Sequence, residues 1–125
     1  MKNGIKNSEI IIHSDGTPTR SFCYITDAMR AFFRILLIAS PGSIWNVGND
    51  EEISVRDVAE TIRKTINKPI EIKTEKSSDP NYTVDNPQRR CPDLSKIKGL
   101  KGYNPQVRLE DGIKRLYRWY LDNLE

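Results

Sequence analysis

The stretch "TRSFCYITDA", Thr19 to Ala28, joins a short alternating run to the start of an amphipathic helix, with an arginine at its beginning. Alternation of apolar and polar residues from Ser21 to Ile25 predicts a β-strand. Thr26 can then serve as a helix N-cap, and Asp27 places a negative charge in the first turn. Large apolar residues recur at helical spacing until a Pro-Gly pair ends the pattern. The stretch therefore predicts a strand followed directly by a helix.

A second strand is predicted on the N-terminal side of this unit. Ile10 to His13 is an apolar run, and it is separated from the first strand by Asp15, Gly16 and Pro18. These three residue types favour turns. The pattern predicts a β-hairpin formed by the two strands.

Strands and helices continue to alternate after the first helix. The apolar stretch "SIWNVGN", residues 43–49, predicts a strand that ends in a glycine turn. Ser54, with Asp57 three residues later, resembles a capping box for a helix that ends near Asn67. The stretch "IEIKT", residues 70–74, predicts another strand.

The remainder of the chain combines a long polar loop with two helices. The loop runs from Glu75 to Pro92, and loops of that length in compact domains are more often functional than idle. Asp93 can cap a short helix that ends at Lys98, and an amphipathic stripe predicts a terminal helix. The sequence as a whole predicts a mixed α/β fold with short strands and about four helices, in a single region spanning residues 1–125.

Arginines distinguish two of these segments. Arg20 stands at the start of a predicted strand, where a rigid backbone can orient its side chain, and "NPQRRCPD" places Arg89 and Arg90 between two prolines. Prolines limit the freedom of a loop and lower the entropy that it loses on binding. A guanidinium group stays charged and can bond two oxygen atoms at once. Arginines held in this way are suited to binding a diphosphate.

Composition excludes several classes of function. The chain has 125 residues, with 20 Lys and Arg against 17 Asp and Glu, so a net charge of +3 does not indicate a dedicated nucleic-acid binder. Its longest apolar run is far shorter than the roughly 20 residues of a membrane span, and its N-terminus lacks the apolar core of a signal peptide. Two distant cysteines, Cys23 and Cys91, indicate neither a zinc site nor a disulfide framework. We therefore expect a cytoplasmic protein.

Four motifs in one order carry a family resemblance: "SDGTPTRSFCYITDA", "WNVGNDEEISVRDVAETI", "DNPQRRCPDLSKIKGLKGYNPQVRLEDGI" and "YRWY". From about Ile10 onward the chain resembles the C-terminal substrate-binding region of NAD-dependent nucleotide-sugar epimerases and dehydratases, the extended short-chain dehydrogenases/reductases. "PQRRCPD" is similar to the motif of their UDP-glucuronate decarboxylase-like branch. The resemblance implies the binding of a nucleotide-diphosphate sugar in polysaccharide biosynthesis, without choosing among epimerase, dehydratase and decarboxylase chemistry.

The resemblance also implies roles for individual residues. It places Arg20 at the substrate diphosphate and Arg90 beside the diphosphate and the sugar. Further contacts to the substrate are expected from four other residues: Arg89, Gln88, Asp85 and Asn46. In isolation, an ion pair of Arg20 with Asp15 or Asp27 would explain that arginine equally well, and a surface ion pair would explain Arg90. Arg89, Gln88 and Asp85 could be ordinary loop residues, and Asn46 could simply shape a turn.

Two hallmarks of the complete family are missing from the sequence. The seven glycines never group into the fingerprint that holds a dinucleotide pyrophosphate, and no Tyr-x-x-x-Lys pair is present. NAD is implied as the cofactor of a parent enzyme, while this chain alone is expected to bind no cofactor and to be inactive. Its expected partners are the nucleotide sugar and either the missing Rossmann half or a second copy. A non-catalytic binding module is the alternative, and a nucleic-acid binder ranks well below both.

Overall fold

The computed structural model describes residues 2–77, 82, 86–100 and 102–123, and it confirms a mixed α/β fold. Helices and short strands alternate along this part of the chain. The helices are α1 (Lys2–Asn7), α2 (Ile25–Ile38), α3 (Val55–Ile66), α4 (Ser95–Lys98) and α5 (Leu109–Asn123). The strands are β1 (Glu9–Ile12), β2 (Thr19–Ser21), β3 (Glu52–Ser54), β4 (Glu71–Thr74) and β5 (Arg89–Arg90).

The described strands form two separate sheets. Strand β1 pairs in parallel with β4, so that Glu9 lies opposite Glu71 and Ile12 opposite Thr74. Strand β2 is the centre of a three-stranded sheet, antiparallel to β3 and parallel to β5. The predicted loop from Glu75 to Pro92 therefore contains a short strand, and this strand completes the second sheet.

The predicted hairpin is wrong, because β1 and β2 belong to different sheets. The predicted turn residues between these strands, Asp15, Gly16 and Pro18, form a loop that does not close a hairpin. The Asp15 carboxylate accepts hydrogen bonds from the Thr17 amide (2.9 Å) and hydroxyl (2.7 Å), and Gly16 has a φ of 85°. The carbonyls of Gly16 and Pro18 then accept hydrogen bonds from the first amides of α3. The loop thus leads β2 away from β1 and toward α3.

Helix α2 begins at Ile25, two residues earlier than expected, and Thr26 is not its N-cap. The cap position is Tyr24, which makes no side-chain capping bond. Asp27 does lie in the first turn, but its role differs from capping. Its carboxylate is 2 % exposed and accepts hydrogen bonds from the backbone amides of Gln106 (2.9 Å) and Val107 (2.8 Å). Asp27 therefore joins α2 to the segment that precedes α5.

Residues 43–47 form no strand, contrary to the prediction from "SIWNVGN". Backbone groups in this segment are satisfied by turns and side chains instead. Gly48 donates its amide to the Tyr103 hydroxyl (3.3 Å), which in turn donates to the Gly48 carbonyl. Trp45 packs against the core, with the Lys96 ammonium 4.3 Å from its ring centroid. Of the apolar residues here, only Trp45 packs against the core, while Ile44 and Val47 are exposed.

Helix α3 follows the sequence prediction closely. The Ser54 hydroxyl accepts a hydrogen bond from the Asp57 amide (3.0 Å), so Ser54 is confirmed as the N-cap. The Asp57 carboxylate accepts from the Ser54 hydroxyl (2.6 Å). Asn67 ends the helix in the left-handed conformation, with a φ of 52°. The other predicted cap differs, because Leu94 occupies the N-cap position of α4. Asp93, one residue earlier, accepts a hydrogen bond from the amide of Ser95, the first residue of α4 (2.9 Å).

The core lies between α2, α4 and the segment before α5. Four buried residues form its cluster: Ala31, Leu94, Ile97 and Tyr103. Ile97 is the largest side chain that is fully buried in the described structure. Helices α3 and α5 pack together on the other side, where Ala59 and Ile113 are buried. Burial of the Tyr103 side chain raises the pKa of its hydroxyl.

Candidate functional site

Arg20 and Arg90 lie side by side in the three-stranded sheet. They are direct partners in the register of the parallel strands β2 and β5. Neighbouring strands are about 4.8 Å apart, and partner residues point to the same face. The structure therefore brings together the two arginines that were predicted to bind the diphosphate, although they are 70 residues apart in the chain.

Strand alternation places Arg89 on the opposite face of this sheet. Arg89 is the partner of Thr19, and its Nε and Nη2 atoms donate to one carboxylate oxygen of Glu52, at 2.9 and 2.6 Å. The Arg89 guanidinium lowers the pKa of Glu52, and Glu52 in turn raises the pKa of Arg89. The two adjacent arginines of "QRRC" thus serve different faces, with Arg90 beside Arg20 and Arg89 in an ion pair.

The guanidinium group of Arg20 is already fixed in position. Its Nη1 atom donates to the Thr19 carbonyl (2.6 Å), and its Nη2 atom donates to the side-chain oxygen of Asn86. Asp15 and Asp27 were the alternative ion-pair partners considered for Arg20. The Asp15 carboxylate accepts from Thr17 instead, and the Asp27 carboxylate accepts from the amides of residues 106 and 107. Asn86 connects Arg20 to the segment that carries Arg90, a contact that the sequence reading did not identify.

A cavity of about 630 Å³ adjoins Asn86. It lies where the parallel strands β1 and β4 end, and both Asn86 and Gln88 line it. His13 and Tyr82 contribute aromatic surface, with their ring centroids 6.1 Å apart in an edge-on arrangement. His13 is exposed and follows the last residue of β1. The cavity therefore combines aromatic and amide groups close to the arginine pair.

The other predicted contacts are distributed differently. Asn46 donates to the Asp93 carbonyl (3.1 Å), so its side chain ties the segment after α2 to the start of α4. Gln88 lines the cavity, and its carbonyl accepts the Thr19 amide at 2.8 Å. Asp85 lies outside the described residues. The structure thus brings Arg20, Arg90 and Gln88 into one neighbourhood and gives Asn46 a bond elsewhere.

The described residues do not fit a dinucleotide cofactor. Such a site needs a strand that leads through a glycine-rich turn into a helix N-terminus. Here α3 follows β3 directly, and the segment from β2 to α2 is Phe22–Tyr24, which contains no glycine. Within the described ranges, no group of three or more metal-ligating side chains converges, and no helix has the length and apolarity to cross a membrane.

Comparisons with known proteins find similar chains among enzymes named for nucleotide sugars. The family model described as the NAD dependent epimerase/dehydratase family matches residues 1–48. A UDP-glucuronic acid decarboxylase from Arabidopsis thaliana is 36% identical over 113 residues, which are 90% of this chain and 31% of the relative. The human dTDP-D-glucose 4,6-dehydratase is 37% identical over 120 residues, which are 94% of this chain and 34% of that protein.

Solved structures extend the comparison to the fold. The UDP-glucuronic acid 4-epimerase from Bacillus cereus, in complex with UDP-glucuronic acid and NAD, superposes with a TM-score of 0.82 at 28% identity. The match covers 97% of this chain and 38% of the epimerase chain. The UDP-glucose 4-epimerase from Thermotoga maritima shares the fold, with a TM-score of 0.84 at 21% identity over 99% of this chain and 38% of that chain.

These matches confirm the predicted resemblance to NAD-dependent extended short-chain dehydrogenases/reductases that act on nucleotide sugars. The UDP-glucuronic acid decarboxylases, to which the "PQRRCPD" motif pointed, are among the relatives. The chain spans about a third of the length of the curated relatives it matches.

Proposed function

We propose that residues 1–125 form the nucleotide-sugar-binding region of an NAD-dependent epimerase, dehydratase or decarboxylase, and that Arg20 and Arg90 hold the diphosphate. The observation that carries this proposal is their pairing across β2 and β5. Two guanidinium groups on neighbouring strands can each present a planar fork to one pair of phosphate groups.

Electrostatics favours an anion beside the two arginine side chains. Like charges directly opposite each other destabilise a sheet, and a nucleotide diphosphate carries about two negative charges at neutral pH that would offset the repulsion. The sheet would thus gain stability on binding its ligand. Asn86 and the Thr19 carbonyl hold the Arg20 guanidinium before the ligand arrives, which lowers the entropy lost on binding.

The cavity beside Asn86 would take another part of the ligand. We propose that Gln88 contacts the bound nucleotide there, and that Asp85 and Asn46 are secondary contacts. Arg89 would lie farther from the bound ligand than Arg20 and Arg90, because Glu52 holds its side chain on the other face of the sheet. NAD would be bound by residues other than those described, because the described residues do not form a dinucleotide-binding site. We expect the location to be cytoplasmic.

Substrate affinity in the complete polypeptide that carries this sequence tests the proposal. Replacing Arg20 or Arg90 with alanine should weaken the binding of UDP-glucuronic acid by about 1.5 to 3 kcal/mol, the range for hydrogen bonds to charged groups. Calorimetry at fixed ionic strength measures this loss. Arg118→Ala is the matched control, because Arg118 is an exposed arginine on α5. If both variants bind as tightly as Arg118→Ala, the diphosphate assignment is wrong.

A non-catalytic binding module is the second candidate, and it is favoured by the poor fit of the described residues to a dinucleotide. The two candidates share the nucleotide-sugar site and differ in turnover. We expect the 125-residue chain alone to bind no NAD and to convert no nucleotide sugar. Saturable NAD binding to the chain by calorimetry would contradict this expectation and would move the cofactor site into these residues.

A further inference from the structure

Strand β5 is too short to hold its place by backbone pairing alone. It consists of Arg89 and Arg90, at the edge of the three-stranded sheet. Its junction with β2 includes the hydrogen bond from the Thr19 amide to the Gln88 carbonyl, at 2.8 Å. Two-residue pairings at a sheet edge open readily, since strands of about five residues are usual in stable sheets. Side chains must therefore contribute to the position of β5.

Glu52 links all three strands of this sheet. It lies on β3 opposite Ser21, and its carboxylate reaches over the central strand. One oxygen accepts the Thr19 hydroxyl of β2 at 2.8 Å. The other oxygen accepts both Nε (2.9 Å) and Nη2 (2.6 Å) of Arg89 on β5. We call this arrangement of Glu52, Thr19 and Arg89 the Glu52 clip.

The clip and the arginine pair occupy opposite faces of the sheet. Residues at alternate positions of a strand point to opposite sides, and direct partners point to the same side. Thr19, Arg89 and Glu52 therefore share one face, while Arg20 and Arg90 share the other. Holding Arg89 in place fixes the backbone of the next residue, and this sets where the Arg90 side chain begins.

We propose that Glu52 is a positioning residue, which holds β5 beside β2 through Thr19 and Arg89 and so keeps Arg90 next to Arg20. The role of this geometry in ligand binding rests on the proposed function, whereas the clip itself does not. Both charged side chains are accessible, with 69% of Arg89 and 28% of Glu52 exposed. Exposed ion pairs add little to global stability. The expected effect is therefore local, at the junction of β2 and β5.

Amide hydrogen exchange of Thr19, followed by NMR in the 125-residue chain without ligand, tests the clip directly. Glu52→Ala and Arg89→Ala should each raise the exchange rate of this amide by about fivefold, the factor that corresponds to ~1 kcal/mol of opening free energy. Glu52→Gln should have a smaller effect, because the amide oxygen can still accept one of the bonds. Both side chains lie on the surface, so the variants should fold.

Asp50→Asn is the matched control. Asp50 forms an exposed ion pair with Lys98 on α4, and each side chain is 45% exposed, yet neither residue lies on β5. This variant should leave Thr19 exchange unchanged. If Glu52→Ala also leaves it unchanged, or if Asp50→Asn raises it equally, the clip is overturned regardless of any ligand.

Affinity for UDP in the complete polypeptide tests the positioning role. Glu52→Ala should weaken UDP binding by about fivefold, in proportion to the added opening of β5. Exchanging the charges, with Glu52→Arg and Arg89→Glu together, should restore part of this affinity. Faster exchange with unchanged affinity, in a protein where Arg90→Ala still loses UDP, overturns the positioning role. Where Arg90→Ala keeps full affinity, the proposed function fails, and Thr19 exchange alone decides whether Glu52 holds β5.

Discussion

The three-stranded sheet and helix α2 meet the solvent in opposite ways. The sheet presents charged side chains whose positions are fixed by specific partners, as with Arg20 at Asn86 and Arg89 at Glu52. Helix α2 buries Ala31 completely but leaves Phe33 55% and Leu37 82% exposed. Contiguous exposed apolar side chains of this kind mark surfaces that contact another protein. We propose different roles for the two regions, an anion site on the sheet and a contact with protein on the outer face of α2.

The largest expected effect concerns the inner side of α2. Asp27→Ala should lower the free energy of unfolding by about 2 to 4 kcal/mol, because it removes a buried carboxylate that accepts from the part-buried amides of Gln106 and Val107. Chemical denaturation of the variant and the parent measures the difference. Asp122→Ala, at an exposed position on α5, is the control and should change stability little. Equal midpoints for the two variants would show that Asp27 does not hold α2 in place.

The outer side of α2 should control association. We expect the isolated chain to self-associate through exposed apolar residues of this helix, since contiguous apolar patches of several hundred Å² find partners. Leu37→Glu should raise the dissociation constant at least about tenfold, given ~1.5 to 3 kcal/mol for a buried leucine. Sedimentation velocity over a concentration series measures the change.

Leu121→Glu on α5 provides the comparison for this experiment. Leu121 is a 54% exposed leucine on another helix, and its replacement should leave the association constant near that of the parent. The role of α2 in association would be contradicted if the parent chain stays monomeric at high concentration. It would also be contradicted if Leu37→Glu and Leu121→Glu raise the dissociation constant equally.

A smaller effect distinguishes a shared site from two independent arginines. In the complete polypeptide, the double replacement of Arg20 and Arg90 with alanine should cost less than the sum of the single losses, with a coupling of about 1 kcal/mol for groups that bind the same phosphates. Lysine at either position should recover only part of the affinity, because it keeps the charge and loses the planar fork. Strict additivity in UDP-glucuronic acid affinity would place the two arginines on separate parts of the ligand.

The smallest effect is a shift in titration on the other face of the sheet. Arg89 lowers the pKa of Glu52 below its usual value of 4.5, so the carboxyl signal of Glu52 should titrate below that value by NMR. A lowered pKa in the folded state means that this contribution to stability is complete above the unfolded pKa and is lost as pH falls through the folded pKa. Arg89→Ala should move the midpoint upward. A midpoint that Arg89→Ala leaves unchanged would mean that the ion pair is not formed in solution.

Local signals in the sequence were sufficient for the longer elements. The capping box at Ser54 and the apolar stripe after it predicted α3 correctly, because a helix depends mainly on residues within a few positions of one another. The short strands were harder to predict. A strand of three residues has no intrinsic preference that outweighs its distant partners, and the hairpin prediction failed because turn residues alone do not specify which strands pair.

The same reasoning applies to the site. Its two arginines could be selected from the sequence, since charge and proline spacing are visible there. The division between Arg89 and Arg90 could also have been found, because adjacent strand residues point to opposite faces. Recognition of Asn86 and Glu52 needed the register of three strands that are distant in the chain. Side chains that hold other side chains in place leave little trace in local patterns.

The parallel pairing of β1 with β4 has a consequence for how the chain folds. Glu9 finds its partner only when Glu71 is available, with α2 and α3 between them in the sequence. Pairings between distant segments must overcome the entropy of closing a long loop, and they slow folding. During synthesis, the apolar residues Ile10, Ile11 and Ile12 of β1 would therefore stay uncovered until the ribosome has released the β4 segment. We expect this strand to gain protection in pulse-labelling experiments well after α3 has formed.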